Sequence, residues 1–171
     1  MDQDADTSAK STAGNRSPIV TEIMTASVPP VSPDDSVARV AKILVDFDVS
    51  GVAVIEDDEI IGIITESDII AREADVEAPT PVPFLDAIFI ADAGRPYAEE
   101  IRRALATNAR MLMSSPVISI RSDATLNEVA SVMLDRDVHP LPVVDQNHRY
   151  VGIVTRKNLV RVIAELENRE S

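Results

Sequence analysis

The sequence predicts an α/β (α+β) fold in which two tandem β-α-β-β-α units pack sheet to sheet with pseudo-two-fold symmetry. Three observations carry the prediction: an internal duplication, helix-period apolar spacing early in each copy, and paired β-branched runs later in it. Shifting the chain by 89 residues aligns Met24 with Met113, Asp34 with Asp123, Val40-Ala41 with Val129-Ala130, and Asp48-Val49 with Asp137-Val138. After one extra residue in the second copy the shift becomes 90, and Gly62, Ile63 and Thr65 meet Gly152, Ile153 and Thr155.

The elements follow in the same order in both copies. A short extended piece, Val28 to Val31 or Val117 to Ile120, leads into a helix. Ser36 and Thr125 stand at its N-cap, where a side-chain oxygen satisfies an orphan N–H, and Thr125 with Glu128 has the spacing of a capping box. Val37, Val40, Ala41 and Leu44, then Leu126, Val129, Ala130 and Met133, recur at the spacing of one helix face. The runs "GVAVIED" and "IIGIIT", and "LPVVD" and "YVGIVT", are separated by the polar tips "DDE" and "QNHR" and read as hairpins. A second amphipathic helix closes each unit, through Asp68, Ile69 and Ile70 and through Asn158, Leu159 and Val160. A unit of about 50 residues buries too little apolar surface alone, which is the physical reason for packing two together.

The expected organisation is a disordered acidic and polar tail over 1–17, a first unit over 18–74, a linker over 75–108, and a second unit over 109–167. The linker has a Pro-rich part (Pro79, Pro81, Pro83) suited to a polyproline helix or a loop, then a short helix over Ala98 to Ala106. Phe84, Leu85, Ile88 and Phe89 form an apolar patch that must be buried, on the module or on another chain.

Composition narrows the function. Aromatic residues are 3% of the chain and Trp is absent, so the core is aliphatic. With no Cys there is no disulfide framework and no thiolate chemistry. No apolar run reaches the roughly 18 residues of a membrane span. The opening "MDQDADTSAKSTAGNRSP" lacks the apolar core of a secretory signal, so a cytoplasmic location is expected. A net charge of −13 repels phosphate backbones and argues against a nucleic-acid partner. The acidity, and a basic set containing only three lysines, suit either a high-salt cytoplasm or a GC-rich genome. His139 and His148 are the only histidines, too few for a three-His metal site, and no G-x-x-x-x-G-K-[ST] loop occurs. No enzyme activity, catalytic residue, metal or required cofactor is expected.

The tandem units, the "SGVAVIED" and "HPLPVVD" turns, and a doubled G-x-x-T-x-x-D pattern, complete at Gly62, Thr65 and Asp68, resemble the CBS domain pair, or Bateman module. The resemblance covers roughly Ile19 to Leu166. It implies a cleft in which Thr65 and Asp68 face Pro116, Val117 and Ile118 and the turn Val138-His139-Pro140. There Asp68 would accept both ribose hydroxyls, Thr65 would give its hydroxyl to a phosphate, and the aliphatic residues would sandwich adenine. The chemistry suits these roles, since a carboxylate accepts paired bonds and the free N–H groups of a helix start attract anions. T-x-x-D is equally a capping arrangement, and Asp68 can serve both ends. His139 is read either as a phosphate contact or as a residue exposed on a turn.

A pseudo-symmetric cleft would pair Thr155 and Asn158 with Val28, Pro29 and the turn Val49-Ser50-Gly51. It departs from the pattern: Asn158 lacks a charge, and Ser50 stands where the other half has His139. The expectation is that the Asp68 cleft binds and the Asn158 cleft is weak or empty, with Arg156 and Lys157 as partial compensation or as solvated residues. The resemblance implies a regulatory module, homodimeric, sensing AMP, ADP, ATP or S-adenosylmethionine and passing its state to an effector protein. The alternative is a ligand-independent dimerisation or scaffold module.

Overall fold

The structure is a computed structural model, which describes residues 16–73, 81–84, 87–90, 102–103 and 105–170. The first repeat holds α1 (Val20–Ile23), β1 (Thr25–Ala26), α2 (Val37–Asp46), β2 (Gly51–Glu56), β3 (Glu59–Thr65) and α3 (Glu66–Glu73). Between the repeats lie β4 (Pro81–Phe84) and β5 (Ala87–Ile90). The second repeat holds α4 (Ala109–Leu112), β6 (Ile120–Arg121), α5 (Leu126–Asp135), β7 (Leu141–Val144), β8 (Tyr150–Val154) and α6 (Arg156–Glu170).

Helices α2 and α5 form where the local signals place them. Ser36 Oγ accepts from Arg39 N, and the Thr125–Glu128 box closes in both directions. Val37, Val40, Ile43 and Leu44 of α2 and Leu126, Val129 and Met133 of α5 are the buried positions. Both helices end on an aspartate in the left-handed region, Asp48 at φ 50° and Asp137 at φ 48°. The next N–H then reaches back to the helix, Val49 to Leu44 O and Val138 to Met133 O, each at 3.2 Å. The β2–β3 hairpin turns through Asp57 and Asp58, both at positive φ as a type I′ turn requires.

The Pro-rich stretch is a strand rather than a polyproline helix or loop. β4 pairs antiparallel with β5, with Pro81 opposite Ile90 and Pro83 opposite Ile88. Prolines two apart lose their N–H groups along the same strand edge, which leaves the other edge free to pair. The 1–15 part of the expected tail, Pro79, Leu85, the side chains of Phe84, Ile88 and Phe89, and most of the expected Ala98–Ala106 helix lie outside the described residues.

The repeats exchange their leading segments. β1 pairs antiparallel with β8 of the second repeat (Thr25 with Ile153, Ala26 with Gly152), giving the sheet order β1-β8-β7-β6. Ser114 makes the equivalent antiparallel bridge to Ile63 in β3, and Val31 bridges Val54 in parallel as β6 joins β7. The lead-in helices follow. The first N–H groups of α1 donate to Ala124 O and Ser122 O, and those of α4 donate to Asp35 O and Pro33 O. Orphan donors at a helix start are thereby satisfied by the opposite repeat. Val20 and Ile23 sit in one core with Leu126, Val129, Leu141 and Val143, while Ala109 and Leu112 sit in the other with Val28, Val40, Val52 and Ile64. Tyr150 adds a cross-tie, its hydroxyl donating to Val28 O at 3.1 Å, and burial raises its pKa above the ordinary phenol value.

The exchange explains the glycine of the repeated motif. A Cβ on Gly152 would lie 2.7 Å from Thr25 O, and one on Gly62 would strike the Met113 side chain. The chain of the other repeat crosses at these points, so only glycine leaves room. At Gly152 the obstacle is backbone and cannot rotate away. Gly152→Val is therefore expected to lower stability by about 1–3 kcal/mol or more, read by urea denaturation.

Candidate ligand-binding clefts

β3 delivers Thr65 to the start of α3, and β8 delivers Thr155 to the start of α6. At the first, Thr65 N and Oγ1 both donate to Asp68 Oδ2, at 2.8 and 2.7 Å, and Asp68 N donates weakly back to Thr65 Oγ1. At the second, Thr155 N and Oγ1 donate to Asn158 Oδ1, each at 2.8 Å, with the same return bond. T-x-x-D and T-x-x-N are thus reciprocal helix-start rings in both repeats. The Thr65 hydroxyl hydrogen, expected to point at a phosphate, is directed at Asp68, because a carboxylate is the stronger acceptor at hand.

Beyond the ring the two positions differ. Asp68, Thr155 and Asn158 are all buried. Asn158 Nδ2 donates across to Thr25 Oγ1 at 3.3 Å, so both ends of the amide are engaged. Asp68 keeps Oδ1 clear of Thr65, and the Arg103 guanidinium lies against it with Nε at 3.4 Å.

The Ser114–Ile63 bridge brings the second repeat alongside β3 two residues before Thr65, and Pro116, Val117 and Ile118 follow from there. Pro116 and Ile118 are exposed and Val117 is half-buried. On the other side Val28 is buried in the first core, which leaves Pro29 as the accessible member of its pair. The two turns abut, since a Cβ on Gly51 would meet Pro140 Cγ at 2.6 Å. Beside that contact is a cavity of about 330 Å³ lined by Val49, Ser50, His139 and Thr155, with Asp48, Glu66, Arg156 and Lys157 at its charged walls. Ser50 and His139, and Glu66 and Arg156, are equivalent positions of the two repeats, so the cavity straddles the line that relates them. It gathers His139 of the first expected set with Val49, Ser50 and Thr155 of the second. Lys157 forms an ion pair with Asp48 across it, and Arg156 lies 3.9 Å from Asp137. His148, at the tip of the β7–β8 hairpin, is exposed and does not line this cavity. Among the described residues no three His, Asp or Glu side chains converge as a metal site would need, and no helix is long and apolar enough to cross a membrane.

The model of the CBS domain matches residues 20–75 and 109–165, one copy for each repeat. The chain belongs to the CBS domain family. Protein MJ1426 of Methanocaldococcus jannaschii is 32% identical over 127 residues, which cover 67% of this chain and 73% of that protein. MK0525 of Methanopyrus kandleri is 30% identical over 148 residues, 86% of this chain but only 63% of that protein. Among solved structures, CBSX2 in complex with AMP superposes with a TM-score of 0.67 at 25% identity, covering 86% of this chain and 97% of that one. CBSX2 is a protein of Arabidopsis thaliana. The paired CBS fold is therefore established here, and such pairs are typically regulatory modules rather than catalysts.

Sequence reasoning missed Arg103. It lies 35 residues from Asp68, in the stretch between the repeats, and no periodic or motif signal marks it.

Proposed function

We propose that this CBS pair is a regulatory module whose Asp68 cleft binds an adenine nucleotide or S-adenosylmethionine and whose occupancy is read by a partner protein. The observation that carries this reading is the asymmetry of the two rings. Asp68 presents a buried, charged carboxylate with one oxygen left over from its ring, whereas Asn158 has both amide atoms engaged. The likeness to CBSX2, solved with AMP, supports an adenosyl ligand. Thr65, Asp68, Pro116, Val117, Ile118, Val138, His139 and Pro140 form the binding set. The Asn158 cleft is weak or empty: Val28 is buried and Lys157 is held by Asp48.

Self-association belongs to the same reading. Val45 and Leu134, and Ile70 and Val160, are equivalent positions on four helices and are 66–80% exposed. Apolar side chains repeated in that way support a homodimer built on the helices. They also favour the second reading, a scaffold that dimerises without a ligand. Calorimetric titration of AMP, ATP and S-adenosylmethionine at low and high salt, beside sedimentation, separates the two. Binding of one ligand upholds the sensor, and a dimer that binds none of them upholds the scaffold.

A further inference from the structure

One contact of Asp68 has no counterpart at Asn158 among the described residues, and it comes from the stretch between the repeats. Arg103 Nε lies 3.4 Å from Asp68 Oδ1, and Arg103 Nη2 donates to Ser114 Oγ at 3.3 Å. The Arg103 side chain is 27% exposed and that of Asp68 8%. Nε itself is buried and makes no hydrogen bond, so charge rather than a well-formed bond holds the pair. In the equivalent place Asn158 makes a neutral bond to Thr25.

We propose that Arg103 makes the Asp68 cleft selective for adenosyl ligands bearing a phosphate over neutral or cationic ones, a proposal that rests on the adenosyl reading above. The reason is charge balance around a buried carboxylate. Ribose hydroxyls must use Oδ1, because Oδ2 already accepts two bonds from Thr65. Their arrival displaces the guanidinium from Oδ1 and weakens its pairing with the carboxylate, which is costly away from water. A neutral nucleoside offers nothing in return. A sulfonium brings a second positive charge to the same place. A phosphate offers anionic oxygens, and a guanidinium binds these through paired N–H donors. Nε makes no hydrogen bond where it stands, so turning from Asp68 to a phosphate sacrifices charge attraction but no bond of that atom.

The test is calorimetric titration of AMP and adenosine into the full chain, as wild type, Arg103→Gln, Arg103→Lys and Asp68→Asn. The wild type is expected to bind AMP at least roughly tenfold more tightly than adenosine. Arg103→Gln should weaken AMP roughly 10- to 100-fold while leaving adenosine unchanged or tighter, and Arg103→Lys should keep part of the preference. Equal losses for both ligands in Arg103→Gln would mean a structural role only and overturn the proposal. So would a wild type that binds adenosine as tightly as AMP, an arm that needs no variant to fold. If neither ligand binds the wild type, the adenosyl reading itself fails and the proposal with it; if AMP binds but Asp68→Asn changes nothing, the carboxylate has no part in binding and the proposal alone is overturned.

Discussion

Asp68→Ala is expected to abolish measurable adenosyl-ligand binding, lowering affinity roughly 100-fold or more, while Asn158→Ala changes it by only a few-fold. Hydrogen bonds to a charged acceptor contribute about 1.5–3 kcal/mol each, and two ribose hydroxyls on one carboxylate reach that range together. Alanine also removes the acceptor for Thr65 N and Oγ1, so part of its effect is a lost helix cap of about 0.5–2 kcal/mol in stability. Asp68→Asn separates the two. The second repeat shows that an asparagine oxygen accepts the same two bonds from its threonine. The cap and the fold therefore survive in Asp68→Asn, and only the charge is lost. Calorimetry should find the ligand weakened in that variant, with the melting temperature lowered only by the loss of the Arg103 ion pair and not by loss of the cap. Full affinity in Asp68→Asn would remove the carboxylate from the binding mechanism and leave it as a cap.

Ile23→Ala should lower global stability by about 2–5 kcal/mol, an unusually large cost for a residue in a four-residue helix near the start of the described chain. Ile23 is fully buried, and its neighbours are the second repeat's Leu126, Val129, Leu141 and Val143. The cavity thus opens in the half of the molecule that lies about 100 residues away in sequence. Leu112→Ala should do the same in reverse, since Leu112 is buried in the first repeat's core. Each repeat completes the other's core, so unfolding should remain a single transition in both variants, with a melting temperature lowered by roughly 4–20 °C. Two separate transitions, with one repeat melting early and the other unchanged, would contradict the exchange.

Much of the fold is written locally and was readable from the residues alone. The apolar period of α2 and α5, the Ser36 and Thr125 caps, the polar hairpin tips and the T-x-x-D and T-x-x-N rings all depend on neighbours within a few residues. The two-unit organisation was readable as well, because a duplicated sequence repeats those local signals at a fixed offset. Locally, too, T-x-x-D was already a cap; its ring appears in the structure with the bond pattern such spacing allows. Prolines mask the alternation of β4, so by local signals its residues read as a loop or polyproline segment.

What only the tertiary structure decided is which repeat each piece serves. A duplicated chain has two equivalent partners for every lead-in strand, and local pattern is the same for either pairing. Packing chose the crossed one, with Gly62 and Gly152 clearing the path. The charge environment of the cleft was decided in the same way. Arg103 is one of thirteen arginines, and its sequence neighbourhood says nothing about a carboxylate 35 residues earlier. Coulomb pairing depends on distance in space, and the fold alone brings Arg103 Nε to 3.4 Å from Asp68. The residues of the sequence determined the elements and their caps, and the folded arrangement determined which carboxylate faces a cation and which amide is tied down.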